Sequence, residues 1–149
     1  MRNLFKLLLL TATSFIFFSF NIWQKDFDTA RRIATEKNQL ILLNFSGSDW
    51  CGPCIRMEKE IFSSETFLKM AESNLVLLNA DFPRFKKNQL NKEQRNANEV
   101  LAEKYNREGK FPFTVLLTPD GNVVKTWEGL PDEDVSKFTS AIKKLCDEQ

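Results

Sequence analysis

The amino-acid sequence predicts an α/β fold, with a single domain in which helices flank a central mixed sheet. Two short, almost continuous apolar runs, 40–45 and 75–80, are typical of strands covered on both faces. The helical stretch between them supplies the crossover that parallel strands require, whereas a turn at 118–121 predicts an antiparallel hairpin. A chain of 149 residues is long enough for one hydrophobic core and shorter than chains that usually divide into two.

The first half of the domain alternates helices with buried strands. Phe27, Ala30, Ile33 and Ala34 recur at helical spacing and predict an amphipathic first helix. Turn-forming residues follow the first strand, and a serine then caps a short helix before the second strand. The predicted elements are a helix over 26–38, a strand over 40–45, a turn over 46–49, a helix over 50–62, a short helix from Ser63 or Ser64 to Met70 and a strand over 75–80.

The second half begins with a polar connection at 81–92, whose basic run from Arg84 to Lys87 is expected to be a solvated loop. A partner-docking role for this run is the alternative. Helical and strand periodicities follow, and the last helix carries apolar residues at steps of three and four. The predicted elements are a helix over 91–105, a hairpin of strands 113–117 and 122–127, and a helix that starts near Asp132.

Charge and composition exclude several classes of function. The net charge is +1, so the chain lacks the strong positive field that binding to phosphate backbones needs, and nucleic acid is not expected as a partner. The sequence contains no histidine, which removes Ser–His and Cys–His nucleophile pairs and the commonest transition-metal ligand.

The N-terminal residues 1–23 differ from the rest of the chain. Arg2 and Lys6 precede an uncharged, largely apolar stretch from Leu7 to Phe20, which is typical of an export signal. The stretch is shorter than the roughly 20 residues of a membrane-spanning helix, and the cleavage pattern after it is poor. We expect a cleaved signal peptide or a retained signal anchor, followed by the folded domain at 24–149, with a buried core helix as the third possibility.

Cys51 and Cys54 lie where the first buried strand gives way to a helix. A helix N-terminus favours negative charge and lowers a cysteine pKa, so Cys51 is the candidate nucleophile and Cys54 the resolving thiol. Gly52 allows a tight turn, and Pro53 suits the first helical turn, where its missing N–H costs little. A permanent disulfide or half of a zinc site is the alternative, although no histidine or second CxxC could complete a zinc tetrahedron.

The run from Phe45 to Cys54, with its Trp-Cys-Gly-Pro-Cys motif, and the run Phe111-Pro112-Phe113-Thr114 resemble the thioredoxin family. The Gly-Ser-Asp-Trp-Cys form resembles its exported bacterial thioredoxin-like branch. The resemblance implies a cis-proline at Pro112 that faces the cysteines and leaves the Phe111 backbone free to pair with a substrate strand. A trans proline at a strand start is the alternative, since cis bonds are a small minority of X–Pro bonds.

The sequence departs from thioredoxin at two buried positions. Where the family has an Asp on the central strand and a Lys on the next one, the best matches are Asn44 and Leu77. Proton transfer at Cys54 would then pass through water, Glu58 or another carboxylate, with a solvated helix position as the simpler interpretation of Glu58. Trp50 either shields the thiols and contacts substrate or fills core space.

The resemblance implies a thiol–disulfide oxidoreductase, working in the reducing direction on client proteins that contain disulfides. A membrane-embedded reductase would supply the electrons, and no cofactor is required. We expect a monomer in the periplasm, soluble or anchored to the inner membrane by the N-terminal segment. The alternatives are a disulfide isomerase or oxidase and a thiol-based module that binds metal or protein. Cys146, the odd cysteine, is expected to be a buried bystander, with intermolecular pairing as the alternative.

Overall fold

The computed structural model describes residues 22–149. The strands are β1 (Trp23–Gln24), β2 (Leu40–Ser46), β3 (Leu75–Asp81), β4 (Phe113–Leu117) and β5 (Val123–Glu128). The α-helices are α1 (Phe27–Lys37), α2 (Gly52–Met57), α3 (Glu65–Asn74), α4 (Lys92–Tyr105) and α5 (Val135–Asp147). A π-helical turn over Glu58–Phe62 continues α2, and a short 3₁₀ helix, Lys86–Asn88, lies before α4.

The strands form one five-stranded sheet in the order β1-β3-β2-β4-β5. β2 runs parallel to β3, which is parallel to β1 in turn, whereas β4 is antiparallel to both β2 and β5. The predicted mixed sheet, its parallel crossover and its final hairpin are therefore confirmed. Because β2 lies between β3 and β4 and every one of its residues is buried, the loop at 47–51 that follows it, here called the active-site loop because it contains the candidate Cys51, starts from a rigid strand.

Side chains of β2 alternate between two hydrophobic cores, as the two-residue period of a strand requires. Leu40 and Leu42 belong to a core that α3 and α5 cover, and this core includes Met57, Phe67 and Phe138. Ile41, Leu43 and Phe45 belong to the core on the opposite face, under α1 and α4. The helices therefore lie on both faces of the sheet, and the C-terminal ends of β2 and β3 remain open for a site.

The structure has one strand more than the sequence predicts, and several helices begin or end elsewhere; α3, predicted to end at Met70, continues to Asn74. The two-residue strand β1 was not predicted, and its Trp23 packs against Phe62 with ring centroids 5.1 Å apart. The predicted helix 50–62 starts at Gly52 and changes to π geometry at Glu58. The last helix begins at Val135 because Asp134 is its N-cap, accepting a hydrogen bond of 2.9 Å from the Lys137 N–H.

Most of the expected N-terminal signal or anchor segment lies outside the described residues, since the description starts at residue 22. Among residues 22–149, no helix has the length and apolar character to cross a membrane.

Candidate active site

Cys51 and Cys54 form a disulfide at the start of α2, with their Cα atoms 5.2 Å apart. Both residues are nearly inaccessible, with exposed fractions of 4% and 5%, whereas Gly52 and Pro53 between them are exposed. The two cysteines predicted to act together are therefore bonded to each other. Because the sulfurs are nearly buried, a large molecule that approaches the disulfide contacts mainly the residues around it.

Cys51 occupies the N-cap position of α2. Its Sγ accepts a hydrogen bond from the Cys54 N–H at 3.3 Å, as a capping side chain does. A donor aimed at this sulfur, together with the positive end of the helix, favours a thiolate when the bond is reduced. Pro53 lies in the first turn, where a missing N–H leaves no helical hydrogen bond unmade. The local geometry therefore places a backbone donor and the helix N-terminus at Cys51.

Trp50, directly before Cys51, is held on one side of the disulfide by aromatic and backbone contacts. Its indole N–H donates to the Phe82 carbonyl at 2.7 Å, and its ring meets Phe111 edge-on at 5.4 Å. Phe111 in turn contacts Phe82 at 5.5 Å. A Cβ built at Gly47 would lie 2.6 Å from Trp50 Cζ2, so only glycine at 47 permits this placement. Trp50 is partly exposed and so does not simply fill core space.

The peptide bond between Phe111 and Pro112 is cis. Pro112 is buried, and its carbonyl accepts a hydrogen bond of 2.9 Å from the Gly129 N–H, which ties this turn to the end of β5. Phe111 remains partly exposed beside Trp50. The turn before β4 therefore belongs to the same surface as the residue that precedes Cys51.

A cavity of about 610 Å³ opens beside Cys54, which is part of its lining. Most of its lining residues are polar, and Trp23, Ile55 and Leu90 are the apolar ones besides Cys54. Asn44, the residue at the family's buried Asp position, lies there with an exposed fraction of 6% and donates to Asn79 Oδ1 at 3.3 Å. The Ser46 hydroxyl lies 3.1 Å from the Asp81 carboxylate, which also accepts from the Ser48 N–H and hydroxyl. The polar ends of β2 and β3 therefore form one hydrogen-bonded wall.

Glu58 lines the same cavity, four residues after Cys54. Part of its side chain is exposed, yet burial raises the pKa of its carboxyl group, against the opposing effect of a hydrogen bond from Ser63. Glu58 is thus an exposed helix residue whose carboxyl borders the cavity. Leu77, at the position of the family's buried Lys, is 3% exposed and belongs to the apolar core.

Cys146 is the free cysteine of the described residues and packs at the edge of the core under α5. Burial, with a smaller contribution from Asp147, raises the pKa of its thiol to about 11. The group is therefore almost entirely a thiol at neutral pH, and thiols are poor nucleophiles compared with thiolates. Cys146 is partly rather than fully buried, and its role as a small buried or bystander residue stays a prediction.

Several residues that shape the site were not found by sequence analysis. Asp49 accepts hydrogen bonds from the connection after β3, and Asp81 organises the serines after β2. Gly47 makes room for the Trp50 ring. The available signal was the cluster Ser46-Gly47-Ser48-Asp49, which was recognised as a turn but not as a set of hydrogen-bonding partners. Among residues 22–149, no group of three or more Cys, Asp or Glu side chains is placed to hold a metal ion.

Comparison with known proteins identifies the family. Residues 22–119 match a family model described as Thioredoxin-like. The disulfide bond reductase DsbH of Chlamydia pneumoniae is 32% identical over 126 residues, which cover 83% of this chain and 74% of the relative. The thioredoxin-related protein DsbJ of the same organism is 29% identical over 97 residues, covering 65% of this chain but 27% of that protein.

A solved structure described as DsbH oxidoreductase superimposes with a TM-score of 0.75 at 28% identity, and the match covers 85% of each chain. The predicted thioredoxin-like fold is thereby confirmed. With the bonded Cys51 and Cys54 pair at the start of α2, these similarities lead to one conclusion: the chain belongs to the thioredoxin-like family and is a thiol–disulfide oxidoreductase of the Dsb type.

Proposed function

We propose that this protein reduces disulfide bonds in exported client proteins, with Cys51 as the attacking thiol and Cys54 as the resolving thiol. The observation that carries this assignment is the hydrogen bond from the Cys54 N–H to Cys51 Sγ, 3.3 Å long. It aims a backbone donor at one sulfur of the pair and thereby favours the thiolate on Cys51. This asymmetry supports Cys51 as the thiol that makes the first attack.

The reaction proceeds by two successive thiol–disulfide exchanges. The Cys51 thiolate attacks one sulfur of the client disulfide, a mixed disulfide forms, and the other client sulfur leaves as a thiolate. Cys54 then loses its proton and attacks Cys51 Sγ, which releases the second client sulfur. Two electrons pass to the client, whose two sulfurs take up protons to become thiols, and the Cys51–Cys54 disulfide remains in the protein.

Client contact would involve the residues that surround the sulfurs: Trp50, Gly52, Pro53, Phe111 and Pro112. The exposure of Gly52 and Pro53 supports this, because a client can approach the disulfide over them without moving a side chain. Phe111 lies beside Trp50 in the turn before β4, and its backbone would pair there with an extended client segment. The family resemblance supports the same placement.

The Cys54 proton would leave through the cavity that Cys54 lines. Asn44 has no acidic proton to exchange, whereas the cavity is large enough for water and also contains Glu58. A carboxyl whose pKa is raised by burial is closer to the range in which it exchanges protons at neutral pH. Water, with Glu58 as a second acceptor, is the proposed route.

The reducing direction rests on two observations. The relative from Chlamydia pneumoniae is named a disulfide bond reductase. The Gly-Pro pair between the cysteines is that of thioredoxin, whose potential is about −270 mV. A reductant outside the cytoplasm needs electrons from across the membrane, so we propose a membrane-embedded reductase as donor. The N-terminal segment of 1–23 would direct the domain to the periplasm, as a signal peptide or as an anchor.

The equilibrium reduction potential of the Cys51–Cys54 pair tests the direction. Equilibration of the purified protein with dithiothreitol or glutathione buffers should give a value near −270 mV, which identifies a reductant. A value near or above −180 mV, that of protein disulfide isomerase, would instead identify an isomerase or oxidase. A pair that forms no disulfide in any buffer would indicate a binding module.

A further inference from the structure

The connection between β3 and α4 packs against the active-site loop, and hydrogen bonds to Asp49 fasten it there. The Asp49 carboxylate accepts hydrogen bonds of 2.9 Å from the Arg84 N–H, the Phe85 N–H and the Asn88 side-chain amide. Although partial desolvation opposes the change, these hydrogen bonds lower the pKa of Asp49, so the carboxylate stays ionised. Asp49 lies two residues before Cys51, and it therefore fixes the connection beside the disulfide.

The fastened connection forms a continuous surface with Trp50. The Arg84 guanidinium lies over the Trp50 ring, 3.6 Å from its centroid, which is a close cation–π contact. The same indole donates its N–H to Phe82, so the ring is held at both its face and its edge. Because Trp50 directly precedes Cys51, this contact places the Arg84 charge on the Trp50 side of the disulfide.

The segment Arg84–Lys87, here called the basic loop, contains Arg84, Phe85, Lys86 and Lys87. All four side chains are exposed, and Phe85 has an exposed fraction of 53%. Elsewhere, many exposed cations have carboxylate partners, such as Arg32 with Glu36. Within residues 22–149, the three cations of the basic loop form no ion pair with a carboxylate.

Acidic groups near the basic loop do not cancel its charge. A cleft of about 320 Å³ separates the loop from α4, and its charged lining residues besides Arg84 are Asp81, Arg95 and Glu99. The Asp81 carboxylate already accepts hydrogen bonds from a serine that follows β2. Arg95 and Glu99, both on α4, carry charges of opposite sign. The Asp49 carboxylate is the acidic group hydrogen-bonded to the loop backbone, and the three cations of the loop outnumber it. The excess positive charge therefore lies on the loop itself, next to Trp50.

We propose that the basic loop selects clients that carry acidic residues beside the disulfide cysteine attacked by Cys51. This inference rests on the proposed function, in which Cys51 makes the first attack. A client carboxylate would pair with Arg84, whose guanidinium is pre-ordered on the Trp50 ring, while Phe85 offers an apolar contact next to it. Lys86 and Lys87 would add attraction at longer range and raise the rate of encounter.

Rates of reaction with matched peptides test the proposal. Two disulfide-linked peptides, identical except for Asp or Asn beside the cysteine, are mixed with the reduced full-length protein, and the second-order rate constants are compared. The acidic peptide should react about 3- to 10-fold faster at low ionic strength, and added salt should reduce that ratio because it screens exposed charges. Equal rates for the two peptides in the wild-type protein would overturn the proposal.

Two charge reversals locate the effect. Arg84→Glu should abolish or invert the preference for the acidic peptide, whereas Arg32→Glu, which makes the same change in net charge on α1, should retain it. A preference that survives Arg84→Glu would overturn the proposal. Asp49→Asn should also lower the ratio, because an amide provides one acceptor oxygen where the carboxylate has two and thereby releases part of the loop.

An uncharged small disulfide, 2-hydroxyethyl disulfide, separates the two claims. Reaction of Cys51 with this compound reports the thiol chemistry without a peptide to select. If the protein reacts with the small disulfide but reacts with both peptides at equal rates, the client-selection proposal is contradicted and the proposed function is not. If the protein reacts with none of these disulfides, the proposed function itself is contradicted.

Discussion

The two cysteines of the disulfide have different surroundings. On the side of Cys51, Trp50, Phe82 and Phe111 form an aromatic wall that the fastened connection after β3 supports. On the side of Cys54, a cavity of about 610 Å³ has a mixed lining, in which amides, hydroxyls and carboxylates stand beside Trp23, Ile55 and Leu90. One side offers rigid surface for a partner, and the other offers room for water.

In the proposed mechanism, the two halves of the site have separate tasks. Client binding needs a surface that excludes water and holds its shape, which packed rings provide. Release of the client requires a proton to leave Cys54, for which hydrogen-bonding groups and water are suitable. Changes on the Cys51 side should therefore affect client attack, and changes on the Cys54 side should affect release and its pH dependence.

The largest effect is expected from the cysteines themselves. Cys51→Ser should abolish turnover of disulfide substrates, because a serine hydroxyl is not ionised near neutral pH. Cys54→Ser should still attack but should accumulate a mixed disulfide on Cys51, visible by mass spectrometry and reversed by dithiothreitol. Normal turnover by Cys51→Ser, or trapping by Cys51→Ser rather than Cys54→Ser, would reverse the assigned roles.

The second prediction concerns the aromatic wall. In Gly47→Ala, the new methyl group would lie 2.6 Å from Trp50 Cζ2, so the indole must move away from Phe82 and Arg84. We expect client attack to slow roughly tenfold and the free energy of unfolding to fall by about 1–3 kcal/mol. Stopped-flow kinetics and urea denaturation measure the two effects.

Gly52→Ala is the stability control for this change, because a Cβ at residue 52 meets no atom within 4 Å. Its free energy of unfolding should remain within about 0.5 kcal/mol of wild type. Equal destabilisation by the two alanines would show that the position of Trp50 does not depend on Gly47.

The third prediction concerns the buried amide on the Cys54 side. Asn44→Asp places a carboxyl where the native side chain is 6% exposed and faces Asn79 Oδ1 at 3.3 Å. Burial raises the pKa of such a carboxyl in the folded state, so stability is retained below its unfolded pKa of about 3.9 and is lost as the pH rises through the folded value. At pH 7 the loss relative to wild type should be about 1–3 kcal/mol.

Urea denaturation at pH 4 and pH 7 measures this loss, with Asn122→Asp as the control at an exposed position. The difference from wild type should grow with pH for Asn44→Asp and stay nearly constant for Asn122→Asp. Equal behaviour of the two variants would mean that the network around Asn44 is open to solvent.

The smallest effect is expected at Glu58. Glu58→Gln should slow release of client from the mixed disulfide by about two- to fivefold above the raised pKa of the carboxyl, since cavity water still accepts the proton. The rate of the first attack should not change. Glu60→Gln, on the same π-helical turn but paired with Arg56, is the control, and an equal effect there would exclude a specific role for Glu58.

Periodicity predicted most of the sheet because each main strand is long enough to show its pattern. β2 and β3 are continuous apolar runs, and the hairpin has a clear turn between its strands. β1 has two residues and therefore no measurable period, and its pairing with β3 depends on tertiary contacts. The π-helical turn at Glu58–Phe62 was not predicted either, because its residues are equally compatible with an ordinary α-helix.

The cysteine pair was predictable because its chemistry lies in adjacent residues. The supporting groups were not, since Asp49 and its partners Arg84, Phe85 and Asn88 are at least 35 positions apart along the chain. The same holds for Asp81 and Ser48, whose contact exists only after β2 and β3 align. Local pattern thus predicts the reacting atoms, whereas the fold determines what surrounds them.

The pKa values of the two thiols in the reduced protein test the central claim most directly. Alkylation of each cysteine by iodoacetamide, followed across pH by mass spectrometry, gives the two values separately. Cys51 should titrate below the ordinary cysteine pKa of about 8.5, and Cys54 should titrate above Cys51. A lower pKa at Cys54, or ordinary values at both, would contradict the division of tasks between the two sides of the disulfide.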